Sequence, residues 1–503
     1  MLKHLTLNAT LQGIQSSHNN IPLQHYRGIR YATIPGRFKK ATAIDTWDNA
    51  DIDCTRFGPN CPQNYVDVGY LLRIPESQDD VLNIAQDEFD CLSINVTTPL
   101  AETTPPTTLL PVIVWIHGGS QVVSFPPPSH KVSDPSKIVS QSAAIGKPVI
   151  FVTFNYRLNI FAFGDGNEVN LALKDQRLAI DWVTKHIAGF GGDKDNITLC
   201  GESAGAVYAH AHLCTSAPVK CGILQSGSLY LSPPLPTTRG TAFITSIDQQ
   251  LRERSGQGLK DAPVADVLRQ LAISNVNTLY LQEEPQLKGW EDRLTDVPEL
   301  LIGDVEFESV IWRAGVESMT ASEITAAFTH PKDPTLSQAL LQAYHISPTR
   351  LAASRAGALD FLTDARFAWP SRTIANARSA DALKTFRYVF DQPSPFQASA
   401  RAHHGVDLLY LFEAYSDTFL TEGQRILGNV VRDKWIAFAN GEAPWNESNC
   451  FAFGPFGLSA EIDNSGLGER RRVKAWDVLE KTEPDELVRI FFSLAGGRIS
   501  LLN

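Results

Sequence analysis

Between residues 110 and 230, short apolar runs alternate with stretches of helical periodicity, the pattern of a mainly parallel sheet covered by helices. LPVIVWI (110–116) and PVIFVTF (148–154) are continuous apolar runs bounded by proline, glycine and polar residues, so each predicts a strand buried on both faces. LALKDQRLAIDWVTKHI (171–187) places Leu171, Leu178, Ile180, Trp182, Val183 and Ile187 near one helical face. NITLCG (196–201) predicts a further strand that runs, with almost no loop, into the helix-permissive stretch ESAGAVYAHAHLC. The expected class is α/β, with a central, mostly parallel twisted sheet flanked by helices.

From about 231 to 380 the character changes to Pro-rich openings and charged helical segments, with one clear strand candidate, VPELLIG (297–303). This predicts a mostly helical excursion within a single domain spanning 1–503. FRYVF (386–390) reads as the chain returning to the sheet, and KWIAFANGEAPW (434–445) as a late helix stopped by Gly441 and Pro444. There is no internal repeat.

The balance of 44 basic against 55 acidic residues gives a net charge of −11, which argues against nucleic acid or an anionic bilayer as partner. No apolar run approaches the roughly 20 residues of a spanning helix, and the start MLKHLTLNATLQG lacks a signal-like apolar stretch. A cytoplasmic protein is expected, with secretion left open if that start has been replaced. Seven cysteines, few and odd in number, do not read as a disulfide scaffold. Oligomeric state is not legible.

Gly201, Glu202, Ser203, Ala204 and Gly205 form G-x-S-x-G at the strand-to-helix junction, the context in which this motif presents a nucleophile. The flanking glycines relieve crowding in a strained turn, and the helix N-terminus points at the hydroxyl. An ordinary tight turn is the alternative. Such a serine needs a base and a set of donors for the oxyanion. His117, Gly118, Gly119 and Ser120, which follow the strand VIVWI, have the place and composition of an oxyanion loop.

Longer stretches carry a resemblance: YRGIRYATIPGRF, FGPNCPQ, DEFDCLSINV, VWIHGG, FNYRLNIFAF, NLALKDQRLAIDWVTKHIAGFGGDKDNITLCGESAGA, ILQSGS and HHGVDLLYLF, in order from residue 26 to 412. The chain resembles the type-B carboxylesterases, the carboxylesterase and cholinesterase family, and most of all the fungal members. That implies an α/β-hydrolase fold with a largely helical insertion, and a serine carboxylic-ester hydrolase that needs no cofactor and no metal. It implies Ser203 as nucleophile and the backbone amides of Gly119, Ser120 and Ala204 as oxyanion donors, with Gly118 supporting the turn. A third glycine usually stands where this chain has Ser120, and an aromatic residue often stands where it has Gln121. IGDVEFESVIW (302–312) aligns Glu308 with the family's acid, although Phe307 and Ser309 replace the usual neighbours and Asp304 and Glu306 are rival carboxylates. His404, before Gly405, aligns with the base, while His403 is expected to point elsewhere. Glu202 and Ser226 are implied as supporting polar groups, with Ser226 able to hydrogen-bond the acid or base.

Cys61 and Cys91 stand where the family places a disulfide, whereas the missing export signal favours free thiols. The expected substrate is a small hydrophobic or aromatic ester, with the pocket walls assigned to Tyr65, Tyr70, Phe125, Tyr230, Trp312 and the loop from 62 to 90. Tailoring of a secondary metabolite is one reading of the resemblance to fungal members. Acyl transfer, or a non-hydrolytic cyclisation or dehydration in the same pocket, is the alternative. A third reading, less favoured, is an inactive binding protein of the same fold.

Overall fold

The computed structural model describes residues 1–75, 84–100, 108–293, 297–330, 333–415, 421–497 and 499. Among them, eleven strands form the main sheet. In chain order these are β1 (Ile14–His18), β2 (Ile21–Arg30), β3 (Ser93–Pro99), β4 (Leu110–Ile116), β5 (Ile150–Phe154), β6 (Gly192–Glu202), β7 (Cys221–Gln225), β8 (Glu299–Val305), β9 (Lys384–Phe390), β10 (Cys450–Phe453) and β11 (Ser459–Ile462). Their order across the sheet is β11-β10-β9-β8-β7-β6-β4-β5-β3-β2-β1. The run from β10 to β5 is parallel throughout, and β1 to β3 and β11 join it antiparallel.

Strand β4 shows why the central runs are apolar without alternation. Val112, Val114 and Ile116 pack into one core, whereas Ile113 and Trp115 pack into another on the opposite face. The first core is covered by helix α1 (Leu171–His186) through Ile180 and Val183. The second is covered by a later helix, Glu422–Ala439, through Val431, Trp435 and Ile436. Each fully buried aliphatic side chain contributes roughly 1.5–3 kcal/mol, so burial on both faces makes these strands the most costly part of the sheet to disturb.

The antiparallel start of the sheet was not foreseen, because β2 (IPLQHYRGIR) interrupts its apolar pattern with polar residues. The interruption is satisfied internally: His25 is buried, and its ring bonds Ser16 Oγ at 2.7 Å and Thr97 Oγ1 at 3.1 Å. The late helix begins at Glu422, well before the expected Lys434, and Thr421 and Gln424 form its capping box. It ends at Ala439, ahead of Gly441 with φ 76°.

Between 231 and 380 lie α3 (Thr237–Ser255), α4 (Val264–Ile273), α5 (Leu351–Thr363), α6 (Trp369–Ala380) and strand β8, with a π-helical turn, Asp364–Ala368, joining α5 to α6. Helix α2 (Ala204–Leu213) follows β6 directly. Two more elements bear on the site: α7 (Val406–Leu411) and α9 (Pro484–Ala495), which precede and follow the Glu422–Ala439 helix, α8, in the chain. None of the described helices is long and apolar enough to cross a membrane.

All seven cysteines are buried and free. Cys61 and Cys91 are neighbouring thiols rather than the bridge that the resemblance implied. Burial, with the hydrogen-bonded Cys91 thiol beside it, holds the Cys61 thiol far above its ordinary pKa, which disfavours the thiolate that disulfide formation requires. The expected gorge loop, 62–90, is described only outside 76–83.

Candidate active site

Strand β6 delivers Ser203 at its C-terminal end, and α2 begins at the next residue. Ser203 sits at φ 57°, ψ −124°, a backbone conformation that a serine adopts only when its surroundings impose it. The flanking glycines are what allow it. A Cβ on Gly201 would lie 2.4 Å from the Gly205 carbonyl carbon, and one on Gly205 would lie 2.1 Å from the Ile116 carbonyl oxygen. The turn is therefore packed so closely onto β4 that no side chain fits at either position.

The loop after β4 approaches Ser203 from the other side. A Cβ on Gly118 would meet Ser203 Cβ at 3.2 Å and Glu202 Oε2 at 3.0 Å. Ser120 takes the role of a glycine conformationally, with φ 54°, and Gln121 follows with φ 67°. The strained pair is pinned from four directions. The Leu279 amide donates to Ser120 O (3.0 Å), the Asn159 amide to Gln121 O (2.9 Å), and the Tyr208 hydroxyl to Gln121 Oε1 (3.2 Å). Gln121 Nε2 donates to Ser232 Oγ at 3.2 Å. These contacts explain how the loop keeps its shape with serine in place of the usual third glycine. The amides of Gly119, Ser120 and Ala204 donate no hydrogen bond among the described residues. His117 underlies the loop: its ring stacks on Tyr156 at 4.3 Å, and burial lowers its pKa to about 4, so it is neutral packing.

The end of β8 and the segment leading into α7 supply an acid and an imidazole. Glu308 Oε1 accepts from the Val305 amide at 2.8 Å, and Glu308 Oε2 accepts from His404 Nδ1 at 2.5 Å. Both side chains are almost wholly buried, with 0% and 8% exposed. The rival carboxylates are engaged elsewhere: Asp304 with Arg471 at 2.6 Å and Glu306 with Arg401 at 2.7 Å. His403 turns away, its Nδ1 donating to the His404 carbonyl at 2.9 Å.

Glu202 Oε1 lies 3.3 Å from His404 Nε2, and Ser203 Oγ makes no hydrogen bond among the described residues. Burial pushes the Glu202 carboxyl up to about 8, against the pull of the His404 charge. On His404, burial acts downward, yet Glu202 and then Glu308 outweigh it and raise the imidazole to about 9.

Asp407, three residues past His404, belongs to the same field and was not singled out in the sequence. Burial raises it to about 6, Gln225 Nε2 donates to its Oδ2 at 2.9 Å, and Trp435 Nε1 holds Gln225 Oε1 at 3.0 Å. An acidic residue one helical turn beyond the H-G pair was the available signal. Ser226 departs from expectation: it is fully buried, but its hydroxyl bonds neither the acid nor the base.

A cavity of about 120 Å³ opens on Ser203, Ser120 and Ala204. Of the sequence-assigned walls, Trp312 lines it, and Tyr65, Tyr70, Phe125 and Tyr230 do not. Tyr65 and Tyr70 are 76% and 48% exposed, Phe125 packs near Gly405, and Tyr230 stacks edge-on with Trp290 at 4.9 Å. The walls come instead from Leu279, Tyr280 and Ile311, and from Phe491 and Phe492 on α9. The pair FF in the amphipathic α9 sequence hinted at an apolar face, but not at what that face covers.

Strand, elbow and helix thus define an α/β-hydrolase. A family model described as the carboxylesterase family matches residues 4–464. Lipase 3 of Yarrowia lipolytica is 28% identical over 97% of this chain and 98% of the lipase. The para-nitrobenzyl esterase of Bacillus subtilis is 28% identical over 84% of this chain and 87% of that enzyme. An inactive carboxylesterase-like protein, VdtD of Byssochlamys spectabilis, is 41% identical over 41% of this chain and 35% of its own length. A solved PNB esterase superposes with a TM-score of 0.71 at 25% identity, covering 92% of this chain and 97% of its own. This chain belongs to the carboxylesterase family and is a carboxylesterase-type serine hydrolase.

Proposed function

We propose that the protein hydrolyses a small hydrophobic carboxylic ester through an acyl-enzyme on Ser203. The observation that carries this reading is a serine at a strained elbow that opens, with Ser120 and Ala204, onto an apolar cavity, while the hydrogen-bonded Glu308–His404 pair reaches the residue before it, Glu202. His404 Nε2 takes the Ser203 proton as Oγ attacks the ester carbonyl, and Glu308 holds the imidazolium from the Nδ1 side. The amides of Gly119, Ser120 and Ala204 receive the oxyanion. Collapse breaks the ester C–O bond, and His404 protonates the departing alkoxide. Water then attacks the acyl carbonyl, giving its proton to His404, and collapse breaks the Ser203 Oγ–acyl bond, releasing the acid as His404 passes that proton to Oγ.

The small cavity and its aromatic walls favour a short or aromatic acyl group over a long chain. This is compatible with tailoring of a small metabolite. Because VdtD is described as inactive, turnover needs a direct test. A serine-directed fluorophosphonate should label Ser203, and a short p-nitrophenyl ester should be turned over by the wild type and not by Ser203→Ala. Labelling at another residue, or undiminished turnover by Ser203→Ala, overturns the reading. Labelling without turnover of any ester in a broad panel favours acyl transfer or non-hydrolytic chemistry.

A further inference from the structure

Arg366 lies on the π-helical turn between α5 and α6 and is only 5% exposed. The four other arginines buried to this degree among the described residues are compensated. Arg157 pairs with Asp175, Arg432 with Glu413, and Arg471 with Asp304 and Asp391. Arg378 donates to Thr385 Oγ1 and to the carbonyls of Val297, Pro298 and Lys384. Arg366 faces no carboxylate among the described residues. Its Nη1 donates to the Tyr230 carbonyl at 2.9 Å, its guanidinium stacks on Phe491 at 3.8 Å, and its Nε is buried with no acceptor. Burial holds its pKa down to about 9, so it still carries its charge at neutral pH.

A second orphaned donor stands beside it. Trp369 Nε1, one turn further along the chain, is also buried with no acceptor, and its ring lies 6.2 Å from that of Tyr230. A buried cation and a buried N–H without acceptors are each costly, and such groups are retained where a ligand or water supplies the missing partner. Their position indicates which. Phe491, stacked on the guanidinium, and Leu231, next to Tyr230 in the chain, both line the cavity over Ser203. The charge therefore sits directly behind the cavity wall.

We propose that Arg366, assisted by Trp369 Nε1, is a subsite for a carboxylate carried by the substrate, reached when the Phe491 ring turns aside. The preferred ester is then one with a free carboxylate at the end remote from the scissile bond. The proposal deepens the esterase reading and rests on it.

Mono-p-nitrophenyl glutarate and p-nitrophenyl valerate differ only in a terminal carboxylate against a methyl group. The wild type should favour the glutarate in kcat/KM by about tenfold or more, the scale of one hydrogen bond to a charged group. Arg366→Met should abolish that ratio, Arg366→Lys should keep part of it, and Phe491→Ala should raise it. A ratio near one in the wild type, or one unaltered in Arg366→Met, overturns the subsite while leaving the esterase reading intact. Should Arg366→Met fail to fold, a ratio unaltered in both Arg366→Lys and Phe491→Ala overturns it equally. Calorimetry on Ser203→Ala with phenylpropionate against phenylpropanol separates the two ideas. Carboxylate binding that is lost in Ser203→Ala/Arg366→Met, where the wild type turns over neither ester, sustains the subsite and removes the esterase. Equal binding of acid and alcohol means that water alone occupies the site, and the proposal falls.

Discussion

Glu202 and His404 form a buried contact, Oε1 to Nε2 at 3.3 Å, on the nitrogen that accepts the Ser203 proton in the proposed cycle. With Glu308 on Nδ1, the imidazole is held between two carboxylates, and its charged form is the favoured one.

As the proposed base, His404 acts only when neutral, and burial is outweighed by Glu202 and Glu308, so its pKa is raised to about 9. Activity should therefore rise with pH through the alkaline side of neutrality, with Glu202 and His404 titrating as a coupled pair. Glu202→Gln removes the largest upward influence and should move the acid limb of the kcat/KM profile to lower pH. A wild-type limb already complete near the ordinary histidine value of 6.5 would contradict this.

Ser120 tests the oxyanion loop. Its left-handed conformation tolerates glycine but is a strong outlier for a β-branched residue. Ser120→Val should cost about 1–2 kcal/mol in stability and lower kcat more than KM, because it would displace the amide proposed to receive the oxyanion. Ser120→Gly should keep turnover within a few-fold. Denaturant midpoints and steady-state kinetics on both variants decide the matter, and equal behaviour of the two sinks it.

The Asp304–Arg471–Asp391 cluster ties the end of β8 to the C-terminal region, and all three side chains are buried. Arg471→Met leaves the buried Asp304 without its ion-pair partner and Asp391 with Arg470 alone, and should destabilise by about 3–5 kcal/mol. Adding Asp304→Asn should recover part of that loss. A melting temperature unmoved by the single change would show that the cluster is energetically idle.

The cysteines give a chemical count. Seven free, buried thiols should be unreactive to a mild thiol reagent in the folded protein, and all seven should react once it is unfolded without reductant. A denatured count of five would point to a bridge, with Cys61 and Cys91 the first pair to map.

What the sequence made legible is local or strongly patterned. The double-sided burial of β4 and β5 forces unbroken apolar runs, and the elbow around Ser203 forces two glycines because no Cβ fits there. Glu308 and His404, 96 residues apart in the chain, come into contact because their segments pair through the Phe307–His403 bridge. What stayed hidden depends on encounters between distant segments. Polar His25 obscured β2 because its partners, Ser16 and Thr97, cannot be read from its neighbours. Tyr65 and Tyr230 have the composition of pocket walls, but exposure claims one and a Trp290 contact the other. The Phe491 and Phe492 wall depends on where α9 docks, which no periodicity specifies.

The division of labour around Ser203 has an evolutionary consequence. Ser203 and Glu308 follow the ends of β6 and β8 and His404 stands in the loop before α7, while the cavity walls include Leu231, Leu279 and Tyr280, Ile311 and Trp312, and Phe491 and Phe492, from separate stretches of chain. Each stretch can drift without disturbing the elbow. Relatives can thus keep the same elbow and differ in what the chamber above it admits.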